Sequence, residues 1–266
     1  MCAGYERGKW RSDQLADHVI EWLPEFALNH SDLQEIGFSN AVRMTKKAAK
    51  IVYQTEKYGK RGEFGELLLH IVIRQIYDTI PAVSKIYYKS STNKTVEGFD
   101  AVHVVRTPNG LELWIGETKF YSDLNRAIND VSKEIIAHLK TNYLRSEFLL
   151  IKNKIDPNWP EAKALTTLLD DTTSLDDVFK RACIPILLTY DSKTVMNHSS
   201  SNAIYIAAVK EEITKAFEKL RKTINDKYLL EFKNALPIAI HAIFIPLHEK
   251  KSFIAALDKR LKALQI

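Results

Sequence analysis

Three residues carry the chemistry this sequence makes available: Asp100 in the run Phe-Asp-Ala-Val-His-Val-Val-Arg, and Glu117 and Lys119 in Leu-Glu-Leu-Trp-Ile-Gly-Glu-Thr-Lys-Phe-Tyr. Both runs read as strands, and residues two apart on a strand point to one face. Glu117 and Lys119 therefore project together from a stripe that begins with Leu111, Leu113 and Ile115, while Asp100 shares a face with Val102 and Val104. Charged groups where the pattern asks for core residues are the violations expected of a functional site. Two facing carboxylates destabilise a sheet unless a cation lies between them, and hard oxygen ligands of this kind suit Mg²⁺ or Mn²⁺.

Whether the two acids meet depends on the turn Thr107-Pro108-Asn109-Gly110. Pairing of Arg106 with Leu111 sets Asp100 opposite Glu117. A three-residue loop with Gly110 left-handed would slip the parity and set Asp100 opposite Thr118 unless a bulge restores it. The sequence leaves both open. A Glu-x-Lys by itself selects nothing, since Glu117/Lys119, Glu161/Lys163 and Glu231/Lys233 all have that form. Only the first ends a strand, follows a hairpin partner bearing Asp100, and is preceded by a mostly apolar helix, Phe64 to Tyr77, that carries an isolated Glu66. The plain alternative is a surface salt bridge. His70, one helical turn after Glu66, reads as a core histidine, and His103 belongs to the face away from Asp100. Phe120 and Tyr121 read as core, and Lys85 and Lys89 either track a backbone or guard a sheet edge.

The elements that must position these residues follow from periodicity. Helical spacing runs from about Ser12 to Lys57, with Leu15, Val19, Trp22 and Leu23 and then Val42, Ala49, Val52 and Tyr53 facing a core. Tyr58 to Gly62 is a loop signal. Short β-type runs follow at Lys85 to Lys89, Phe99 to Arg106 and Leu111 to Tyr121. Asp123 can cap a helix repeating Leu124, Ala127, Ile128, Val131, Ile135 and Leu139. Beyond it the spacing predicts a helix ending near Arg181, a strand Ile184 to Tyr190, a helix Ala203 to Ile224 with Ile206, Val209, Ile213, Phe217, Leu220 and Ile224 on one stripe, a strand Ile238 to Leu247, and a last helix opened by Ser252. Alternating helices and strands imply an α/β domain with a mixed central sheet flanked by helices, in which residues 1–60 form a helical region packed on a core of residues 61–266.

Composition bounds the function. The chain has 266 residues, 45% hydrophobic and 27% charged, with two cysteines that suggest neither a bridge framework nor a zinc cluster. A reducing, cytoplasmic setting is expected. No signal-peptide pattern opens the chain, and its longest apolar run, Ala235 to Leu247, falls short of the roughly 20 residues that a spanning helix needs. Charge is uneven: Arg43, Lys46, Lys47, Lys50, Lys57, Lys60 and Arg61 stand against Glu56 alone, a larger excess than the +5 of the whole chain. That segment is either a surface that meets phosphates or a solvated helix face. No Gly-rich phosphate loop is present, so ATP hydrolysis by that route is excluded, and no clustered histidine set supports another metallohydrolase.

Taken together, the helix with Glu66, the strand Gly-Phe-Asp-Ala-Val-His and the strand Ile-Gly-Glu-Thr-Lys-Phe resemble the PD-(D/E)xK nuclease superfamily. More closely, Gly-Glu-Leu-Leu-Leu-His-Ile-Val-Ile, the Gly-Phe-Asp-Ala-Val-His-Val strand and Glu-Leu-Trp-Ile-Gly-Glu-Thr-Lys-Phe-Tyr resemble the HamA family, nuclease subunits of Hachiman antiphage defence, most strongly from Gly62 to Leu139. The resemblance implies a restriction-endonuclease-like core and a Mg²⁺- or Mn²⁺-dependent deoxyribonuclease. In it Asp100 and Glu117 hold the ion, Glu66 completes the shell or serves a second ion, and Lys119 orients water or supports the phosphate. It also implies DNA as substrate, met by Arg43, Lys46, Lys47, Lys50, Lys60 and Arg61, and a helicase subunit, HamB, as partner. A nuclease-like fold that only binds nucleic acid or protein is the alternative. Gly98-Phe99 stands where the superfamily name has proline.

Overall fold

The computed structural model describes residues 3–53, 62–83, 98–233 and 236–265. A small hairpin, β1 (Tyr5–Glu6) and β2 (Lys9–Trp10), precedes four helices, α1 (Ser12–Glu21), α2 (Leu23–Ala27), α3 (His30–Gln34) and α4 (Ala41–Val52). Helix α5 (Glu63–Tyr77) leads to β3 (Ile80–Val83), and β4 (Ala101–Thr107) is joined to β5 (Gly110–Phe120). Helices α6 (Leu124–His138), α7 (Thr141–Lys152), α8 (Ala162–Leu168) and α9 (Leu175–Phe179) precede β6 (Ala182–Asp191). Then come α10 (Lys193–Met196), α11 (Ala203–Phe232), β7 (Ala239–Leu247) and α12 (Lys250–Ala263).

The central sheet has the order β3-β4-β5-β6-β7, antiparallel from β3 to β5 and parallel from β5 to β7. Each face carries its own core. On one, Val102, Val104, Leu113, Ile115, Ile184 and Ile186 pack under α6, α7, α8 and α11; on the other, Ala101, Trp114, Phe120, Leu187 and Ile245 pack under α1, α2, α4, α5 and α12. The α/β class with a mixed sheet between helices is as the sequence implies. Asp123 caps α6, its side chain accepting the Arg126 amide at 2.7 Å.

The N-terminal helical region consists of four helices: Pro24 sits at the start of α2, and Asn29 caps α3 by accepting the Asp32 amide. Expectations about the faces and ends of single helices are corrected. Val42, expected to face the core, is 72% exposed, because α4 buries Met44, Ala48, Ala49 and Val52 instead. Helix α11 extends to Phe232, and its buried face runs through Tyr205, Val209, Ala216, Leu220, Ile224 and Tyr228. From Ile213 that stripe steps three residues to Ala216 rather than four to Phe217, so Phe217 and Ile206 face outward. The expected strand Lys85 to Lys89, the loop from Tyr58, and the cations Lys57, Lys60 and Arg61 lie outside the described residues. Among the described residues no helix is long and apolar enough to cross a membrane.

Candidate functional site

The β4–β5 ladder fixes the site. Ala101 pairs with Gly116, Arg106 with Leu111 and Thr107 with Gly110, leaving Pro108 and Asn109 as a two-residue turn. Gly110 takes φ +105°, a left-handed value that a residue without Cβ adopts cheaply. This is the register that brings Asp100 level with Glu117. At that end the ladder tightens: the Asp100 amide donates to the Gly116 carbonyl at 2.8 Å, and Asp100 Oδ2 accepts the Thr118 amide at 2.9 Å. The Asp100 carboxylate is thereby drawn onto β5 between Glu117 and Lys119.

Glu117 is 2% exposed, and its Oε1 lies 2.7 Å from Nδ1 of His138 at the end of α6. The His138 ring is itself fixed, stacked on Tyr143 at 4.3 Å between centroids and met edge-on by Phe99 at 5.0 Å. Lys119 forms an ion pair with Glu134, one turn earlier on α6. Burial alone would lower the Lys119 pKa. The hydrogen bond and charge of Glu134 outweigh it, and the charges of Glu117 and Asp100 add to the effect, so the ammonium is held above the ordinary lysine value. Both acids thus act on one cation, which is the electrostatic sign of a shared site.

Glu66 enters from the other face. Helix α5 lies so close to β5 that a Cβ on Gly65 would stand 2.9 Å from Phe120 Cβ and 3.0 Å from Thr118 Oγ1, and one on Gly116 would stand 2.7 Å from Leu69 Cδ2. Glycine on both elements permits this approach, and the buried Glu66 is the neighbour of Gly65, which meets Thr118 and Phe120 of β5. Among the described residues no group of three or more His, Cys, Asp or Glu side chains is arranged to hold a metal ion. The oxygen donors at hand, the Asp100 and Glu117 carboxylates on neighbouring strands, are of the hard kind that Mg²⁺ takes one or two of alongside waters and substrate oxygens.

Gly98, two residues before Asp100, has a structural reason to be glycine. Its φ is +127°, beyond the reach of proline, and a Cβ there would collide with the Glu147 carboxylate. His70 and His103 fall on the α5 face as expected of core histidines: His70 Nδ1 lies 3.2 Å from His103 Nε2, and His103 Nδ1 lies 2.8 Å from Thr79 Oγ1. Phe120 is core. Arg43, Lys46, Lys47 and Lys50 lie together along one side of α4, apart from the acids, with Lys47 paired to Asp32 at 2.8 Å. His138, Glu134 and Glu147 escaped the sequence reading. The one available signal was the i, i+4 spacing of Glu134 and His138 on the flank of α6 next to its apolar stripe.

Fold and site together define an α/β protein whose mixed sheet carries a carboxylate pair and a charged lysine at one end of its central strand. The chain belongs to the HamA family, whose family model matches residues 1–261. Among curated proteins, anti-bacteriophage protein A of Escherichia coli strain K12 is 23% identical over 265 residues, covering 97% of this chain and 46% of that protein. The chain thus spans about half the length of this relative. No solved structure matches the chain.

Proposed function

We propose that this chain is a metal-dependent deoxyribonuclease, the effector subunit of an antiphage complex with a helicase, HamB, and that its core is of the PD-(D/E)xK type. The observation that carries the reading is the placement of Lys119, whose ammonium responds to both Asp100 and Glu117 at the end of β5. Asp100 and Glu117 would hold Mg²⁺ or Mn²⁺, with Glu66 as an accessory acid; the ion supplies charge neutralisation at the scissile phosphate and a lowered pKa for its water. Lys119, fully protonated at neutral pH, does not act as a base. It stabilises negative charge on the phosphate where that charge develops. For this the ammonium must turn from Glu134 toward the phosphate, and Glu117 from His138 toward the ion. Those two contacts on α6 describe a resting site, and they are the observation that favours the alternative, a silent nucleic-acid or partner-binding module. Arg43, Lys46, Lys47 and Lys50 would supply the phosphate-binding surface, to which the sequence reading adds Lys60 and Arg61, with cytoplasmic DNA as the substrate.

The test is Mg²⁺-dependent DNA degradation by the purified chain assembled with its helicase subunit. Asp100→Asn and Glu117→Gln should each abolish cleavage, and chelation of the metal should do the same. Parental cleavage by both variants, with metal dependence intact, would assign the chemistry elsewhere.

A further inference from the structure

The most exposed large apolar side chain among the described residues is Phe38, at 110% of its reference exposure. It stands at the apex of the turn between α3 and α4, and that turn is held from both sides by one residue. Asn40 Oδ1 accepts the Gly37 amide at 2.8 Å, and Asn40 Nδ2 donates to the Glu35 carbonyl at 2.8 Å. The backbone closes the same loop, with the Asn40 and Ala41 amides donating to the Gly37 carbonyl at 3.1 and 3.0 Å. The aromatic ring is therefore displayed on a rigid mount, so the ordering cost of a contact there has largely been met already. Val42, 72% exposed, and Ile36, 36% exposed, continue the apolar rim.

Beginning at Ser39, the residue after Phe38, an open groove along α4 is lined by Ser39, Val42, Arg43, Lys46, Lys47, Lys50 and Ile51. Arg43, Lys46 and Lys50 recur at one-turn spacing, Arg43 and Lys50 exposed and Lys46 half-buried, and the exposed Lys47 beside them pairs with Asp32 of α3. We infer that Phe38 and the α4 groove form a binding track for single-stranded nucleic acid, in which Arg43, Lys46 and Lys50 follow the phosphates and an unpaired base stacks on Phe38. This deepens the proposed DNA reading of α4 and does not depend on the catalytic assignment.

The chemistry selects this ligand over the others. A backbone-tracking duplex site needs cations alone, because paired bases already stack on one another and offer no face to a protein ring. A single strand offers both phosphates and free base faces. A membrane surface would require the apolar side of α4 to turn outward, and that side, Met44, Ala48, Ala49 and Val52, is buried in the core.

The experiment is equilibrium binding by the full chain, with chelator present, to a labelled single strand of roughly 12 nucleotides and to a duplex of the same sequence. Phe38→Ala should weaken single-strand binding roughly five- to hundredfold and leave duplex binding within about twofold, and Phe38→Trp should restore it. A 2-aminopurine in the strand should be quenched by the parent chain and not by Phe38→Ala. Charge reversal at Arg43, Lys46 and Lys50 should weaken both ligands and flatten the single-strand salt dependence by about 2 in log–log slope, at about 0.7 per phosphate contact. Because Phe38 is fully exposed, its replacement leaves the melting temperature unchanged. Strand binding by Phe38→Ala equal to the parent overturns the stacking site alone if the charge variant still loses binding. An unaltered charge variant overturns the DNA reading of α4 and this proposal with it. Equal loss on both ligands with Phe38→Ala, no strand binding by the parent, or loss only of helicase association would each overturn the proposal.

Discussion

Lys119 is held by one set of partners and suited to another, and that separation makes it the most informative single residue. Its pair with Glu134 joins a nearly buried ammonium to a carboxylate 43% exposed, an arrangement that contributes modestly to stability. Lys119→Met keeps the aliphatic stem and removes the charge, so melting temperature and complex formation should stay close to the parent. DNA cleavage should fall about 100- to 1,000-fold, the usual cost of losing one transition-state electrostatic group. Near-parental cleavage with demonstrated metal dependence would remove this lysine from the mechanism. Gly98 gives a complementary case in which stability and site move together. Gly98→Ala must hold φ +127° and push against the Glu147 carboxylate, two residues before Asp100. The expected result is a loss of about 1–3 kcal/mol in chemical denaturation together with reduced cleavage. Unchanged stability would show that the segment relaxes away from Glu147 without cost.

Helix α5 owes its depth to two absent side chains, Gly65 on the helix and Gly116 on the strand below it. Gly65→Val should lift α5 from β5, lower the melting temperature by an amount equivalent to about 1–3 kcal/mol of overpacking, and carry Glu66 away with the helix. A crystal structure of the variant with α5 unmoved would contradict this. The hairpin above it was the most legible part of the chain as an element, because Thr-Pro-Asn-Gly marks a turn and a period of two assigns the faces within each strand; its register stood open between two turn lengths, and only the pairing of Arg106 with Leu111 decides it. The partners of those residues were not legible. His138 and Glu134 come from a helix beyond the hairpin, and periodicity marks which residues of a helix are apolar, not which strand charge its flank will meet. The end of α11 was read eight residues early, at Ile224 instead of Phe232, and its stripe failed where Ala216, a small residue, took the place that Phe217 seemed to claim.

At the scale of the whole molecule, the sheet is a wall between two cores, and the His70–His103–Thr79 chain lies inside the core beneath α5. Burial, with the Arg74 charge adding, pushes the His70 pKa down to about 3, and His103 is pushed well below its ordinary value by burial and by His70 and Arg74. Both folded values lie below the unfolded value near 6.5, so in acid the unfolded chain binds protons that the folded chain refuses. That contribution is fully present above about pH 6.5 and is lost as pH falls from there toward about 3. Melting temperatures should therefore decline between about pH 7 and 5, and His70→Gln should lessen the decline; a flat profile in the parent would refute it. The sheet's change from antiparallel to parallel pairing also sets an order of assembly. The β4–β5 hairpin closes through a two-residue turn, whereas β6 returns only after α6, α7, α8 and α9. Short loops close at less entropic cost than long ones, and chains fold from the N-terminus as they are made. Asp100 and Glu117 therefore confront each other on a newly formed ribbon before α6 has brought His138 to Glu117, and the ribbon must tolerate its own repulsion until the rest of the chain arrives.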